Sequence, residues 1–161
     1  GTIDRKDHDG WHDGKKVRIK ICEIKEIKSS GRESQNVGFS GATGGILVNS
    51  RVSGAYLALA KRAENNRGPN GQAQPLTLQA NSSYRTMANQ ERLWDELGHN
   101  TALVARPGHS NHQMGIAIDF AKSNGSALTS GDQWFKFLKD NADLGIINYP
   151  REAWHWSPTG N

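Results

Sequence analysis

The sequence predicts an α+β fold, a small antiparallel sheet flanked by helices, and three observations lead there. Several short stretches alternate apolar and polar residues, the period of a half-buried strand. Three longer stretches repeat apolar residues every three or four positions, the period of a helix laid against a core. The strands do not follow the regular strand–helix rhythm that a doubly wound parallel sheet needs.

In chain order, residues 1–14 are polar and rich in Asp, His and Gly, and read as a loop. Val17, Ile19 and Ile21 alternate with Arg18, Lys20 and Cys22 as a strand, and Ile24 and Ile27 break that period, so it bulges or ends near Cys22. Residues 29–45 are rich in Ser and Gly, a loop. Val52, Tyr56, Leu59 and Ala63 mark a helix from Ser50 to about Glu64, and Asn65 to Pro75 form a polar connector. Leu76, Leu78 and Ala80 alternate as a short strand. A second helix runs from about Thr86, a capping residue, to Leu97, closed by Gly98. Ala102 to Ala105 read as another short strand, ended by Pro107-Gly108, and Ile116, Ile118 and Phe120 as a further one. A third helix begins near Asp132 and carries Trp134, Phe135, Leu138 and Ala142. Leu144–Ile147 and Ala153–Trp156 are apolar pieces too short for helices, and they flank Pro150.

A chain of 161 residues suits one domain. Leu, Ile, Val and Phe make up just under a fifth of it, a level that signals disorder only beside a large net charge. The net charge is +4 and five Trp supply large burial units, so the chain reads as folded and loop-rich. One Cys excludes an internal disulfide framework, and Cys22 reads as structural. No apolar run reaches the roughly 20 residues of a membrane helix. The basic balance favours an anionic neighbour, but the basic residues are scattered, which argues against nucleic acid.

The stretch Gly115-Ile116-Ala117-Ile118-Asp119-Phe120 carries chemical information. As a strand it turns Ile116, Ile118 and Phe120 to the core and Gly115, Ala117 and Asp119 to the other face. Asp119 then stands on a face cleared by two tiny residues. His112 sits on the loop feeding this strand, so an imidazole and a carboxylate converge above the sheet. A second cluster is Glu152-Ala153-Trp154-His155-Trp156. Metal-assisted amide hydrolysis needs three protein ligands, an open position for water and a carboxylate to take the water's proton. His112, Asp119 and His155 would supply the ligands and Glu152 the base. In a flat strand Glu152 and His155, three apart, point to opposite faces; they serve one site only if the chain bends, and Pro150 is placed to bend it.

Ser110-x-His112-x-x-Gly115-x-Ala117-x-Asp119, followed by Glu152-x-Trp154-His155, resembles the signature of the zinc D-alanyl-D-alanine carboxypeptidase superfamily. That superfamily includes vancomycin-resistance D,D-carboxypeptidases and dipeptidases, phage L-alanyl-D-glutamate endopeptidases and the zinc domain of hedgehog proteins. Ser82-Ser83-Tyr84-Arg85 with the following Gln90, and Ala105-Arg106-Pro107-Gly108, resemble further family segments in the same order. The likeness spans roughly residues 50–157. It implies a Zn²⁺ ion on the open face of the sheet, held by His112, Asp119 and His155, with Glu152 as general base and then acid. It implies that Arg85 holds the substrate's carboxylate or the region of the scissile carbonyl, that Gln90, Ser83 and Ser110 line the site, and that Trp154 stands near the pocket wall. The expected reaction is hydrolysis of peptidoglycan stem peptides outside the cytoplasm, by a secreted, periplasmic or wall-associated enzyme or one delivered to the wall by a phage. A D,D-carboxypeptidase is expected first, because Arg85 and Gln90 suit a free carboxylate. An L-alanyl-D-glutamate-type endopeptidase is the alternative, because only Asn148-Tyr149-Pro150-Arg151 separates Ile147 from Glu152, where many family members have a longer segment. A zinc-stabilised binding module without turnover is the alternative of another class. Ser83 stands where the family usually has Gly.

The organisation expected is a catalytic domain over 46–161, preceded by an arm and accessory strand over 1–45 of unclear role, and a monomer. His109, three residues before His112, reads as a rim residue and not a rival ligand. Asp7-x-Asp9-Gly10-x-x-Asp13 lacks the Glu that a calcium loop carries at position 12, which here is Arg18, and so reads as a solvated loop.

Overall fold

The computed structural model of the chain describes residues 46–161 throughout and, before them, the backbones of four strands: β1 (His8–His12), β2 (Lys15–Ile19), β3 (Ile24–Ile27) and β4 (Gly38–Gly41). Then follow β5 (Ile46–Asn49), α1 (Ser50–Glu64), β6 (Thr77–Ser82), α2 (Met87–Glu96), a 3₁₀ turn (Asn111–Met114) and β7 (Ile118–Ala121). The chain continues through α3 (Gln133–Asp140), a second 3₁₀ turn (Ala142–Leu144), β8 (Ile147–Tyr149) and β9 (Glu152–Ser157). The main sheet has the order β4-β6-β7-β9-β8. Four of its strands pair antiparallel, and β4 joins the edge parallel to β6. Helices and an antiparallel sheet intermix in one α+β unit. β1–β2 and β3–β5 form two smaller antiparallel pairs.

The helices begin where the caps say they should. Asn49 accepts from the Arg51 amide at 3.0 Å, Thr86 from Asn89 at 3.2 Å and Asp132 from Phe135 at 2.9 Å. Gly98, just past α2, takes a φ of 67°, the left-handed turn that a side chain would strain. α1 buries Tyr56, Leu59, Ala60 and Ala63 against Leu78 and Ala80 of β6, Ile118 and Phe120 of β7, Phe137 and Leu138 of α3, and Trp156 of β9. One face of the sheet is thus sealed. The Phe135 and Trp156 rings meet edge to face at 5.6 Å.

Some expectations need correction. The stretch 1–14 holds β1, and 24–27 forms β3, because hairpin and β5 pairing recruit residues whose own pattern is weak. The Gly/Ser-rich stretch 29–45 contains β4, whose backbone completes the sheet edge although its composition reads as loop. β5 has no counterpart in the sequence reading, although Ile46 and Val48 are buried. Ala102 to Ala105 form turns and no strand; Leu103 is 63% exposed, so no neighbouring strand takes up its pattern. Ile21 and Cys22, in the first expected strand, lie outside the described residues, as do Asp7 and Asp13. Among the described residues no helix is long and apolar enough to cross a membrane.

Candidate metal centre

β7 and β9 are adjacent, with Ile118 opposite Trp156 and Asp119 opposite His155. Side chains directly opposite in an antiparallel pair share a face. Ile118 and Trp156 therefore both enter the core, at 0% exposure, while Asp119 and His155 stand together on the other face. The His155 Nδ1 lies 2.8 Å from Asp119 Oδ1.

His112 arrives from the 3₁₀ turn before β7. Ser110 caps that turn by accepting from the His112 amide at 3.2 Å. Gly115 ends it with a φ of 71°, a conformation open to glycine. Gly115 thus belongs to the turn and not to the strand, which begins only at Ile118. The segment after β6 grips the turn twice: the Arg85 amide donates to the His112 carbonyl at 2.9 Å, and His112 Nδ1 donates to the Ser83 carbonyl at 2.8 Å. His112 Nε2 then lies 3.1 Å from the same Asp119 Oδ1. The two imidazoles meet edge to face, with centroids 5.0 Å apart.

These contacts test whether the group fits a metal ion. A carbonyl oxygen only accepts, so the ring nitrogen facing it must carry the hydrogen. His112 Nδ1 faces the Ser83 carbonyl, which leaves Nε2 as a bare lone pair, buried and without a hydrogen-bond partner. His155 Nε2 faces the Asn161 carbonyl at 2.8 Å, which leaves Nδ1 bare. Both lone pairs point at a carboxylate oxygen, and the three atoms lie within 4.8 Å of one another. Three acceptors brought together with no hydrogen between them call for a cation. Two imidazoles and a carboxylate, each imidazole anchored by its outer nitrogen, are a donor set that holds a divalent metal.

The surrounding charges agree. In the metal-free protein a proton on the inner imidazole nitrogens takes the place of the cation: burial raises the Asp119 pKa, but the charges of protonated His112 and His155 and their hydrogen bonds to it outweigh burial and hold the carboxyl well below its ordinary range. Burial would lower that of His155, yet its bond to Asp119 carries it upward. Arg85 is lowered by burial, against the opposing charges of Asp119 and Glu152. The Glu152 carboxyl is pushed up, first by burial and then by Asp119, with His155, His112 and Arg85 pulling the other way. Glu152 is therefore in the field of all four groups.

β9 departs from a flat strand between Glu152 and His155, and Pro150 is not the only irregularity there. Along β8 and β9, Ile147 pairs with Ser157 and Asn148 with Trp156, and the next step pairs Tyr149 with Glu152. One step on β8 thus spans four on β9, a bulge of three extra residues that can re-aim the side chains at its two ends.

Other expected site residues take different places. Gln90 is fully buried, its Oε1 accepting from Arg85 at 2.8 Å and its amide donating to the Ala105 carbonyl at 2.8 Å, so it stands behind Arg85. Ser82 accepts from the other Arg85 amine at 2.7 Å. The Ser83 hydroxyl accepts from the Leu47 amide, and the Ser110 hydroxyl is spent on the cap; both are buried. Trp154 is 41% exposed, and His109 is exposed and outside the group. Two residues were not anticipated. Tyr56 is wholly buried on α1 and its hydroxyl reaches the carbonyls of Ile116 at 2.7 Å and Trp156 at 3.1 Å, lying between the strands that carry Asp119 and His155. Its partners lie 60 and 100 residues away, so no local pattern reveals it. Tyr149 sets its ring 5.9 Å from His155.

Comparison with known proteins bears on this geometry. The sequence profile of VanY, D-alanyl-D-alanine carboxypeptidase, matches residues 46–161. No curated protein sequence matches. Among solved structures, the chain is similar to the LdcB LD-carboxypeptidase, with 23% identity over 84% of this chain and 67% of that one, and a TM-score of 0.59. It is also similar to a variant of the vancomycin resistance D,D-pentapeptidase VanY in complex with Zn(II), with 24% identity over 77% and 80% of the two chains and a TM-score of 0.51. The D,D-dipeptidase VanXYg, in complex with a D-Ala-D-Ala phosphinate analogue, aligns at 18% identity over 70% of this chain and 50% of that one, with a TM-score of 0.53. These likenesses describe the fold; the profile covers most of the chain, and by it this protein belongs to the VanY family of D-alanyl-D-alanine carboxypeptidases.

Proposed function

We propose that residues 46–161 form the catalytic domain of a zinc-dependent peptidase that trims peptidoglycan stem peptides outside the cytoplasm, removing the terminal D-alanine. The observation that carries this reading is the convergence of the bare nitrogens of His112 and His155 on Asp119, inside a field shared with Glu152 and Arg85.

His112, Asp119 and His155 would hold the ion. Bound there, zinc would supply a Lewis acid and make a water far more acidic than it is in bulk. Glu152, its pKa raised, takes the proton of the attacking water and returns it to the departing amine, so one carboxyl serves as base and then acid. Arg85 keeps its cation against burial because Asp119 and Glu152 face it, and it clamps the substrate's terminal carboxylate. Gln90 and Ser82 hold the guanidinium plane from behind, and the Ser83 and Asn161 carbonyls keep both imidazoles in the tautomer that ligation needs.

The second reading is an endopeptidase of the L-alanyl-D-glutamate type. It is favoured by the two-residue turn, Pro150-Arg151, that alone joins β8 to β9 beside the site. Mass spectrometry of pentapeptide-stem muropeptides, incubated with and without a zinc chelator, tests both. Chelator-sensitive loss of one terminal alanine is the expected outcome, and an internal cut selects the endopeptidase. Intact peptides, with zinc shown to be bound, would leave a binding module.

A further inference from the structure

The bulge in β9 leaves a set of backbone carbonyls outside the regular ladder, and a buried or half-buried carbonyl without a partner is costly. Three of them are claimed by side chains. Asn148, half-buried on β8, donates from its single amide nitrogen to the Glu152 carbonyl at 2.9 Å and to the His155 carbonyl at 3.2 Å. The Trp156 indole donates to the Ala153 carbonyl at 2.9 Å. The two residues that Asn148 joins, one at an end of the bulge and one within it, are the two that must serve one site although three positions separate them.

We propose that Asn148 is a positioning residue of the reaction: its two amide hydrogens fix the bulge that brings Glu152 and His155 to the same site. This rests on the reading of Glu152 as base and His155 as ligand. The chemistry singles out asparagine. Two hydrogens on one nitrogen reach two carbonyls at once; Ser and Thr have one hydrogen, and Asp and Leu have none. Unlike Gln90 or Ser83, Asn148 touches neither Arg85 nor an imidazole ring. It acts on the backbone from which the base and the ligand project.

The experiment compares Asn148→Leu and Asn148→Asp with the parent protein, each checked for the parent's circular dichroism spectrum. Both remove the donor, and only one adds a charge. Two readouts are taken: kcat and KM on a pentapeptide stem, and the absorption bands and affinity of added Co²⁺. Both variants are expected to lose roughly 10- to 100-fold in kcat with KM little changed, and to bind Co²⁺ more weakly with shifted bands. Parent-like kcat and Co²⁺ bands in Asn148→Leu overturn the proposal, including when Asn148→Asp is impaired, since the added charge is then responsible. Lower thermal stability with unchanged Co²⁺ bands and kcat also overturns it, as a purely structural role. If the parent leaves every stem peptide intact, the hydrolase reading falls. The Co²⁺ bands then decide on Asn148 alone: shifted bands support the brace and unshifted bands refute it.

Discussion

The two segments that build the candidate centre reach it by opposite routes. The one running from Ser110 to Asp119 is arranged locally: a serine caps a single turn, a glycine ends it in the left-handed region, and a short strand follows with alternating faces. The one running from Asn148 to Ser157 is irregular, and side chains from neighbouring positions staple its bulge. On the proposed reading the first segment delivers two ligands, and the second delivers a ligand and the base together. A regular strand cannot do that at a spacing of three, because its side chains alternate. The lesson is that a site needing two functions from one strand is built where the strand departs from regularity.

The largest expected effects separate ligand from base. His112→Ala removes a nitrogen donor, so metal content measured after dialysis should collapse together with hydrolysis. Glu152→Gln should retain metal while losing roughly 10²- to 10⁴-fold in kcat, the usual worth of a positioned general base. A fully active Gln variant would break the division of labour between the two segments. A smaller effect sharpens the local side. Gly115→Ala must place a Cβ at a φ of 71°, which costs about 1–2 kcal/mol. Thermal unfolding should register this as a lower midpoint, and metal affinity should fall with it, because His112 rides on the same turn.

The smallest effect is in pH. The Glu152 pKa lies above its ordinary value of 4.5, raised first by burial. A bound divalent ion would pull the carboxyl back down, so the acid limb of kcat/KM should lie below the pH at which Glu152 ionises in the metal-free protein. In the metal-free protein the raised value bears on stability. A carboxyl raised on folding contributes stability that is full below its unfolded value and is lost as pH rises through the folded one. Glu152→Gln should remove that dependence, as unfolding followed across pH would show.

Much of this site was legible because its signals are local. The alternation around Ile118 and Phe120 put Asp119 on the open face, and Thr86 and Asp132 marked the helix starts. The roles of Gln90, Ser83 and Ser110 were not legible. All three were expected to line the site, and the hydrogen bonds found are supporting ones: Gln90 holds Arg85 and the Ala105 carbonyl, the Ser110 hydroxyl caps the His112 turn, and Ser83 gives its carbonyl to the His112 ring and its hydroxyl to the Leu47 amide. A motif records that a residue type recurs near a site, whereas only the hydrogen-bond partners distinguish a lining group from a supporting one. β4 and β5 escaped notice because pairing with partners far along the chain made them strands.

By itself, the sequence determined the class of fold, the helix boundaries and the identities of the residues that converge, since periodicity, caps and motif spacing act over a few positions. Tertiary structure alone decided which ring nitrogens are bare, which side chains stand behind the site, and how Glu152 joins His155 across a bulge. Those facts depend on carbonyls and strands brought together from distant parts of the chain, and chain separation carries no record of them until the backbone is folded.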